Sequence, residues 1–538
     1  MRTLLTNGRI YSPWARDASA LLVDGGEIAW LGDDASATTM AADRVIDLDG
    51  ALVTPAFVDA HFHTTDTALS LAGPDLGAAA SLAEALALVE QHARKAGGRP
   101  LLGGGWDDTR WPEQRPPTAS ELDRASYGGV VYLARVDAHS AVASSALLAS
   151  VGGIAGLPGY RPDGLLTGQA HHAVRAAARL TLTAQRRGEL HVQALRHAAS
   201  HGVAAVHEMS GPDIAGADDL AALLELAGAG RDGRDPGLPE VFGYWGELRG
   251  VETARELGAV GAGGDLFCDG SFGSHTAALR EPYDDAGTSG SLLLETGELV
   301  EHLRACAAAG LQAGFHAIGD AAIDQVVEAI SLAHAAQLAS GGAAVSGAGH
   351  RIEHAELVAD VAALAAAGLI ASVQPAFDTA WGGPGGMYEA RLGAERARRL
   401  NPFAALAAAG VPLALGSDSP VTPVSPWASI RAAAHPSNAA HALSPRAAFN
   451  AHTRGGWRAA RAECDGSGAL QPGAPASYAV FDAGSLGVDA PDERVSRWST
   501  DERANVPGLP DLAPGVDLPR CLRTVLRGTL IYDSGELE

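Results

Sequence analysis

The sequence predicts an α/β protein: a (β/α)8 TIM barrel with a small β-sandwich domain built from both termini. Short apolar runs alternate with Ala- and Leu-rich helical segments through the middle of the chain, as in parallel α/β sheets. Histidines and acids stand at the ends of these runs, where barrels place their functional sites. Both termini carry strand-like hairpins that are too few to form a core separately.

Composition and charge limit the class of protein. With 538 residues, 47% of them hydrophobic, the chain can bury more than one core. Its formal net charge of −24 repels nucleic-acid phosphates and anionic lipid headgroups. Its four cysteines include no C-x-x-C pair, and its apolar runs fall short of the roughly 20 residues of a membrane helix. We expect a cytoplasmic homo-oligomer, a dimer, that acts on a small molecule without nucleic-acid or membrane partners.

The terminal segments come first in the element order. Residues 1–54 alternate apolar runs with turn residues such as Asn7-Gly8, and the same texture returns in Ser477–Asp482 and Leu522–Tyr532. We therefore predict one small β-sandwich domain from residues 1–54 and 470–538. The barrel domain, residues 55–469, lies between them.

Nine candidate strands follow within the barrel domain, although a barrel needs only eight. The stretch from Thr64 to about Arg187 is too long for one βα loop, which predicts an insertion at about 64–187 after the first strand. The strand that ends at Leu133 falls within this insertion and leaves eight for the barrel. The nine predicted strand ends are His63, Leu133, Glu208, Trp245, Asp269, His316, His354, Gln374 and Asp418.

The first barrel strand carries two histidines separated by one residue. Side chains alternate along a strand, so His61 and His63 project to the same side and can share one metal ion. A pair of buried imidazoles without a metal is the alternative interpretation. Three further strand ends decide between them, because His316, His354 and Asp418 stand at equivalent positions. Four histidines and a carboxylate at strand ends predict a metal centre.

Seven motifs, in order along nearly the whole chain, resemble the YtcJ-like branch of the metal-dependent amidohydrolases, amidohydrolase family 3. Both terminal β segments fit this resemblance too. The motifs are Pro55-Ala-Phe-Val-Asp-Ala-His-Phe-His, Gly104-Gly-Trp-Asp, Asp269-Gly-Ser-Phe-Gly-Ser-His-Thr-Ala-Ala-Leu, His316-Ala-Ile-Gly-Asp, Arg351-Ile-Glu-His-Ala, Ser372-Val-Gln-Pro and Gly416-Ser-Asp-Ser-Pro-Val.

The resemblance implies a hydrolase of an amide, N-formyl or cyclic amide C–N bond that uses one or two Zn²⁺ ions or another divalent metal. It places His61 and His63 on the more buried metal, and His316 and His354 on the second. Asp418 is implied as a ligand and proton shuttle for metal-activated hydroxide, which physical chemistry supports since a metal lowers the pKa of water to about 7.

One position departs from the resemblance. Relatives often carry a lysine that is carboxylated to bridge two metals, where this chain has Asp265. Its single lysine, Lys95, lies in a predicted surface helix of the insertion. Asp265 is left with three roles: it bridges two metals, binds one, or is only a turn residue after Gly263-Gly264. Since its side chain is shorter, we expect one tightly held metal, or a pair in which Asp265 serves one ion.

Six further residues are candidate substrate contacts, each with loop structure or packing as the alternative. If Asp265 points into the barrel, period-two alternation directs Asp269 inward as well. By the same alternation Glu353 is predicted to point toward the helices and pair with an arginine, and the helical His171-His172 pair is predicted to lie at the surface. The six candidates are Trp106, Asp107, His139, Asp269, His275 and Trp381.

Three other functions compete with amide hydrolysis, and the sequence disfavours the first of them. A deaminase of this fold usually has a glutamate three residues after the histidine of strand five, where this chain has Gly319. A lactone or ester hydrolase requires the same metal chemistry, because hydroxide attacks either kind of carbonyl. A metal-free binding or regulatory protein on the same scaffold is suggested only by the missing lysine.

Overall fold

The computed structural model describes residues 1–228, 237–339, 345–486 and 508–537. Short strands and amphipathic helices alternate through most of this length, as the sequence predicts. The strands are β1 (Arg2–Thr6), β2 (Arg9–Ile10), β3 (Ala20–Asp24), β4 (Glu27–Gly32), β5 (Arg44–Asp47), β6 (Leu52–Pro55), β7 (Phe57–Phe62), β8 (Leu101–Trp106), β9 (Val131–Arg135), β10 (Ser140–Ala143), β11 (Leu165–Thr167), β12 (Val203–Ser210), β13 (Glu240–Trp245), β14 (Gly261–Ala262), β15 (Gln312–Ala317), β16 (Arg351–His354), β17 (Ile370–Val373), β18 (Leu413–Leu415), β19 (Tyr478–Asp482), β20 (Arg520–Leu526) and β21 (Thr529–Asp533).

Most helices follow barrel strands and cover the outside of the barrel. Short 3-10 helices occupy Asp108–Arg110, Ile154–Gly156 and Ala439–His441. The α-helices are α1 (Asp34–Ala37), α2 (Thr64–Ala72), α3 (Leu82–Ala96), α4 (Ala119–Ala125), α5 (Ser145–Leu148), α6 (Gly168–Arg179), α7 (Ala184–Ala199), α8 (Ala217–Gly228), α9 (Val251–Leu257), α10 (Thr296–Ala309), α11 (Asp320–Ala339), α12 (Val361–Ala367), α13 (Pro375–Trp381), α14 (Met387–Ala397), α15 (Phe403–Ala408), α16 (Pro426–Ala434), α17 (Pro445–His452) and α18 (Arg454–Ala459).

The predicted barrel is confirmed. Eight strands, β7 and β12 to β18, form one parallel sheet in sequence order. A parallel bridge between Phe62 and Ser419 brings the two ends of the sheet together. Small and branched buried residues such as Ala313, Ile352 and Ala371 fill the space between strands and helices.

The insertion after the first strand forms its own sheet. Strands β8 to β11 pair in the order β11-β10-β9-β8, outside the barrel. The strand that the sequence places at Leu133 is β9, so its assignment to the insertion is confirmed. Trp106, Trp111 and Leu122 pack in a separate apolar cluster beneath this sheet. The single lysine, Lys95, is exposed at the end of α3.

Two further sheets share one apolar core. One has the order β4-β3-β1-β5, and the other, β2-β6-β19-β20-β21, joins strands from both termini. Tyr478 of β19 lies opposite Pro55 of β6 in an antiparallel pair. Leu21, Val53 and Val480 belong to the core between these sheets. The domain boundaries at 54/55 and 469/470 stay predictions.

The fourth barrel strand, β14, is much shorter than the sequence suggests. It ends at Ala262, because Gly263 (φ 145°) and Gly264 (φ 85°) take backbone conformations that β-strands do not use. An ideal Cβ on Gly263 would lie 2.2 Å from the backbone nitrogen of Gly314, so only glycine fits there. The predicted alternation through Asp269 therefore does not apply.

Within the described ranges, the model contains no helix with the length and apolarity needed to cross a bilayer.

Candidate metal centre

Four histidines and two aspartates converge at the carboxyl ends of the barrel strands. His61 lies on β7, and His63 follows it directly. Nε2 of His61 lies 3.3 Å from Asp265 Oδ2 and 3.5 Å from Asp418 Oδ1. Nε2 of His63 lies 3.3 Å and 3.1 Å from the same two oxygens. The alternation along β7 thus brings both imidazoles to the same two carboxylates.

The second pair of histidines faces the other oxygen of Asp265. Nδ1 of His316 lies 3.4 Å from Asp265 Oδ1, and Nε2 of His354 lies 3.6 Å from it. The His316 and His354 ring centroids are 4.4 Å apart, and those of His61 and His354 are 4.9 Å apart. Asp265 therefore offers one oxygen to each histidine pair.

The glycine kink explains how so short a side chain reaches the centre. Gly263 packs against the backbone of Gly314 on β15, and Gly264 lies against Met209 and Tyr244. The chain thereby leaves the regular strand before Asp265 and carries its carboxylate, 4% exposed, among the histidines. Asp265 therefore follows a glycine turn and also lies at the centre, and the turn is what places it there.

Each of the four histidines is held through one ring nitrogen and presents the other to the centre. The acceptors are Glu353 Oε2 for His61 Nδ1 (2.9 Å), the Met209 carbonyl for His63 Nδ1 (2.9 Å), Gln374 Oε1 for His354 Nδ1 (2.9 Å) and the Gly270 carbonyl for His316 Nε2 (3.2 Å). Because an oxygen without a proton can only accept, each of these nitrogens donates its N–H. The opposite nitrogen is then free to use its lone pair, as a metal ligand must.

Five buried atoms at the centre have no hydrogen-bond partner in the protein. Buried polar atoms are nearly always paired, so five together mark the place of a missing group. A divalent cation fits, because imidazole nitrogens and carboxylate oxygens are the ligands that zinc prefers. The candidate ligand groups are His61, Asp265 and His354, and His61, His63 and Asp418, each with ligand atoms within 4.8 Å of one another. The five atoms are His61 Nε2, Asp265 Oδ1, His316 Nδ1, His354 Nε2 and Asp418 Oδ1.

Without a metal, the negative charges of the aspartates are balanced by protonated histidines. Burial by itself would lower the pKa of His61, but the negative charges of Asp265 and Asp418 together have the larger effect and raise this pKa to about 10. Burial raises the pKa of Asp265, while His61 and the hydrogen-bonding histidines hold it well below its ordinary value. A metal ion would replace these protons, so metal binding would release them and weaken in acid.

Glu353 lies inside the barrel, which corrects the prediction that it faces the helices. It accepts a hydrogen bond from His61 and, as predicted, pairs with an arginine, Arg351, at 2.8 Å. The alternation fails at His354, whose φ of 70° departs from strand geometry, so the consecutive side chains of Glu353 and His354 both reach the centre. Burial raises the pKa of Glu353, but Arg351 and His61 lower it to about 2, so Glu353 is an anion that orients His61.

Two cavities meet at the centre. The larger has a volume of about 530 Å³ and extends from His63 and Asp418 to the insertion. The smaller, about 30 Å³, lies between the centre and aromatic residues that include Phe272 and Phe377. Seven residues line both cavities: Arg135, Asp137, His139, His316, His354, Asp418 and Val421.

Two of the six predicted substrate contacts line these cavities. His139 lines both, with its ring centroid 5.1 Å from that of His316. Burial, followed by the charge of His316, lowers the pKa of His139 to about 3, so its ring is neutral. Trp381 lines the smaller cavity and contacts Phe377 at 5.0 Å between ring centroids.

The other four predicted contacts have partners elsewhere in the protein. Trp106 is buried in the core of the insertion and donates its indole N–H to the Leu133 carbonyl. Asp107 pairs with Arg135 at 3.1 Å and caps the 3-10 helix that follows it. Asp269 accepts backbone N–H groups from Ala278, Ile318 and Gly319, and its Oδ1 lies 3.8 Å from Nε2 of His316 at the centre. His275 contacts Asp285 at 2.9 Å and the ring of Tyr283.

Several residues that sequence reasoning missed contribute to the site. Glu353 and Gln374 orient two of the histidines, and their positions beside His354 and at the end of β17 were the available signals. His172, predicted to lie at the surface, lines the larger cavity, and His171 is fully buried against Tyr132. Arg175, on α6, also lines this cavity, and no motif of the sequence indicated it.

Several known proteins are similar to this chain in sequence or fold. The chain is 28% identical over 541 residues to the protein LONG AFTER FAR-RED 3 of Arabidopsis thaliana, covering 92% of this chain and 90% of that protein. It is 26% identical to YtcJ of Bacillus subtilis (strain 168), provisionally named an amidohydrolase, over 72% of this chain and 74% of that one. A crystal structure of a metal-dependent hydrolase from Pyrococcus horikoshii OT3 superposes with a TM-score of 0.71 and 27% identity, over 90% of this chain and 98% of that one.

A family model gives the assignment. The model described as the amidohydrolase family matches residues 44–532, which include the barrel, the insertion and strands from both termini. Every candidate metal ligand falls within this match. The fold relative is a metal-dependent hydrolase, which supports hydrolase activity, and the family match shows that the chain belongs to the amidohydrolase family.

Proposed function

We propose that this protein hydrolyses a C–N bond of a small molecule, an amide, N-formyl or cyclic amide, with the help of Zn²⁺. The observation that carries the proposal is the set of five buried, unpartnered atoms that converge at the barrel mouth. Membership of the amidohydrolase family supports the same chemistry. The hydrolysed bond and the identity of the metal are the parts that experiment must establish.

The donor set would accommodate one or two ions. His61, His63 and Asp418 would hold one ion, and His316 and His354 would hold a second, with Asp265 between them. A bound Zn²⁺ supplies a water of pKa about 7 and polarises a carbonyl group. Because the glycine kink brings one oxygen of Asp265 to each histidine pair, Asp265 would be able to help hold an ion at either pair.

Asp418 is suited to move the proton. It lines both cavities, so a substrate in either one can reach its carboxylate. Burial raises its pKa, but His61 and His63 hold it below the ordinary value, so the carboxylate is ionised and can accept a proton. In the proposed hydrolysis the water oxygen bonds to the carbonyl carbon, and Asp418 takes a water proton. The C–N bond then breaks as Asp418 gives that proton to the nitrogen.

The unequal cavities suggest how the substrate lies. A void of about 30 Å³ accommodates a small acyl substituent, whereas about 530 Å³ accommodates a much larger group. Phe377, Trp381 and Tyr388 line the smaller void. We therefore place the acyl group in the small aromatic cavity and the amine side toward the insertion, which favours formyl and other short acyl amides.

The backbone around His316 argues against a deaminase. An ideal Cβ on Gly319 would lie 1.9 Å from the Ala278 carbonyl oxygen, so this position excludes the glutamate that such enzymes use. Asp269 holds the same loop by accepting the Gly319 N–H. An ester or lactone oxygen depends less on protonation to leave than an amide nitrogen does. Esters and lactones are therefore included in the test as competing substrates.

The test has two measurements on purified protein. Metal content after chelation and refilling with zinc separates a metalloenzyme from a metal-free binding protein. Turnover is then compared across N-formyl, N-acetyl and cyclic amides and the matched esters and lactones, with Asp418→Asn as the inactive control. Turnover of short acyl amides above that of esters supports the proposal, and ester turnover alone would overturn the C–N assignment. The cytoplasmic location and the homodimer stay predictions from the sequence.

A further inference from the structure

One arginine that lines the larger cavity has no carboxylate to balance its charge. Arg175 lies on α6, is 8% exposed and lines this cavity. Its Nη2 donates to the Ala138 carbonyl at 2.8 Å and lies 3.3 Å from the His171 ring nitrogens. Its Nε is buried and has no hydrogen-bond partner.

Two other arginines that line the same cavity have their charges balanced by carboxylates. Arg135 pairs with three carboxylates, at 2.9 to 3.2 Å. Arg179 pairs with Asp66. Among the residues that the structure describes, no carboxylate lies within 4.0 Å of an Arg175 nitrogen. Asp66 forms its ion pair with Arg179. Burial raises the pKa of Asp66, but the charges of Arg179 and, to a smaller extent, Arg175 lower it below the ordinary value.

A buried cation without an anion is costly, and such groups are rare unless a ligand completes them. The neighbours of Arg175 do not supply the missing charge. His171 is neutral, because burial and the charge of Arg175 hold its pKa well below the ordinary value. Tyr132 donates to or accepts from His171 at 2.7 Å and is also neutral at physiological pH, since burial raises its pKa.

The position of Arg175 relates it to the reaction centre. Its hydrogen-bond acceptor, Ala138, immediately precedes His139, whose ring contacts that of His316. Phe267 and Val136 line the cavity between the centre and the insertion. A ligand that extends from the centre along this wall would pass His139 and reach the guanidinium.

We propose that Arg175 binds a carboxylate carried by the substrate on the amine side of the scissile bond. The guanidinium fork is suited to this role, because its donors match the two oxygens of a carboxylate. The inference rests on the proposed function for the orientation of the substrate, with the acyl group in the small cavity. It narrows the substrate class to N-acyl or N-formyl compounds whose amine portion is anionic, such as N-acylated amino acids.

The experiment measures binding rather than turnover. N-Formyl-N-hydroxyglycine and N-formyl-N-hydroxy-β-alanine, whose carboxylate lies on the nitrogen side of a metal-chelating N-hydroxyformamide, are compared with their carboxamides by calorimetry on the zinc-loaded protein. Glutarate and glutaramide are compared on the metal-free protein by the shift of the thermal midpoint. The wild-type protein is expected to bind the carboxylate form about 10-fold more tightly or better in each pair. Equal binding of both forms in both pairs would overturn the proposal.

Three variants assign the preference to one side chain. Arg175→Gln and Arg175→Met should remove it, whereas Arg110→Gln should keep it, because Arg110 lines the same cavity as an exposed cation. Arg175→Met should also unfold at a temperature no lower than the wild type, since it removes an uncompensated buried charge. An Arg175→Gln protein that keeps the carboxylate preference would refute the assignment.

The two proposals fail in different ways. If carboxylate probes bind through Arg175 but no amide is turned over, the proposed reaction is wrong and the binding site stands. If short acyl amides are turned over equally with charged and neutral amine portions, and Arg175→Gln changes neither KM, the reaction stands and the role of Arg175 is wrong.

Discussion

Two charged clusters line the same cavity and solve the problem of buried charge in opposite ways. At the barrel mouth, four histidines and two aspartates leave five buried atoms without partners. On the insertion side, the single guanidinium of Arg135 is matched by Asp107, Asp108 and Asp137. Asp137 also accepts hydrogen bonds from the hydroxyls of Ser271 and Ser274, at 3.0 and 2.7 Å.

The difference separates chemistry from architecture. A buried polar group that has no partner in the protein indicates a binding partner from outside the chain, such as a metal or a substrate. A group with all its partners in the protein fixes one segment against another. Substitutions at the barrel mouth should therefore change metal binding and turnover, and substitutions in the Arg135 cluster should change stability.

The largest effect is expected for Asp418→Asn. The amide cannot accept the proton of the attacking water, so turnover should fall by about 10²- to 10⁴-fold, the range of general acid–base catalysis. Metal should stay largely bound, because the four histidines remain. The measurement is kcat on the best amide substrate, together with the metal content of the same sample.

Asp137→Asn is the matched control, because Asp137 lines both cavities as Asp418 does. It weakens the pairing with Arg135 and should lower the thermal midpoint while changing kcat far less. A near-normal kcat for Asp418→Asn would remove the proton shuttle from the mechanism, and a loss of activity in both variants would erase the contrast between the clusters.

The next effect compares two buried aspartates four residues apart. Asp265→Ala removes an oxygen from each histidine pair, so zinc retention after chelation and refilling should fall by more than about 100-fold, the upper range for outer partners of a metal site. Asp269→Ala removes the acceptor of three backbone N–H groups and should mainly reduce stability.

Bicarbonate provides a second check on Asp265. A carboxylated lysine forms from CO₂, but the carboxylate of Asp265 is already present, so refilling should not depend on added bicarbonate. Equal zinc retention in the Asp265 and Asp269 variants would mean that Asp265 is only a turn residue.

A smaller effect on metal binding is expected for Glu353→Gln. Glu353 touches no candidate metal position but accepts the His61 N–H, and loss of such a partner typically lowers metal affinity by about 10- to 100-fold. The substitution also leaves the fully buried Arg351 without its carboxylate, so the thermal midpoint should fall too. Zinc affinity measured by competition with a chelator should fall less than for Asp265→Ala; the reverse order would mean that Glu353 is itself a ligand.

The barrel and most of its metal ligands could be predicted because they follow from local rules. Period-two alternation brings His61 and His63 to one side, and parallel strands bring His316, His354 and Asp418 to the same end. These rules need only the sequence of one strand and the knowledge that strands share a sheet. Lys95 could likewise be excluded from the centre, because a predicted surface helix keeps it exposed.

The rules failed where the backbone leaves regular geometry. Two glycines end β14 early, so Asp265 and Asp269 do not follow one alternation, and the positive φ of His354 breaks the alternation between Glu353 and His354. Partners distant in sequence were equally hidden. The residues next to Trp106 in the sequence do not predict that its indole N–H donates to the Leu133 carbonyl. The residues next to Arg175 likewise do not show that the Nε of this arginine has no partner in the fold.

The smallest effect is expected for Trp106→Phe, which tests the architectural side of the comparison. Trp106 is 1% exposed, its indole N–H donates to the Leu133 carbonyl at 2.9 Å, and Arg135 lies over its ring at 5.8 Å. Phenylalanine keeps most of the packing but leaves a buried carbonyl without this donor, which should reduce the free energy of unfolding by about 1–3 kcal/mol. Denaturant unfolding measures this loss, and KM for the amide substrate should not change, because the residue packs within the insertion. A raised KM with unchanged stability would instead make Trp106 a substrate contact, and the Arg135 cluster would then belong to the chemistry of the site.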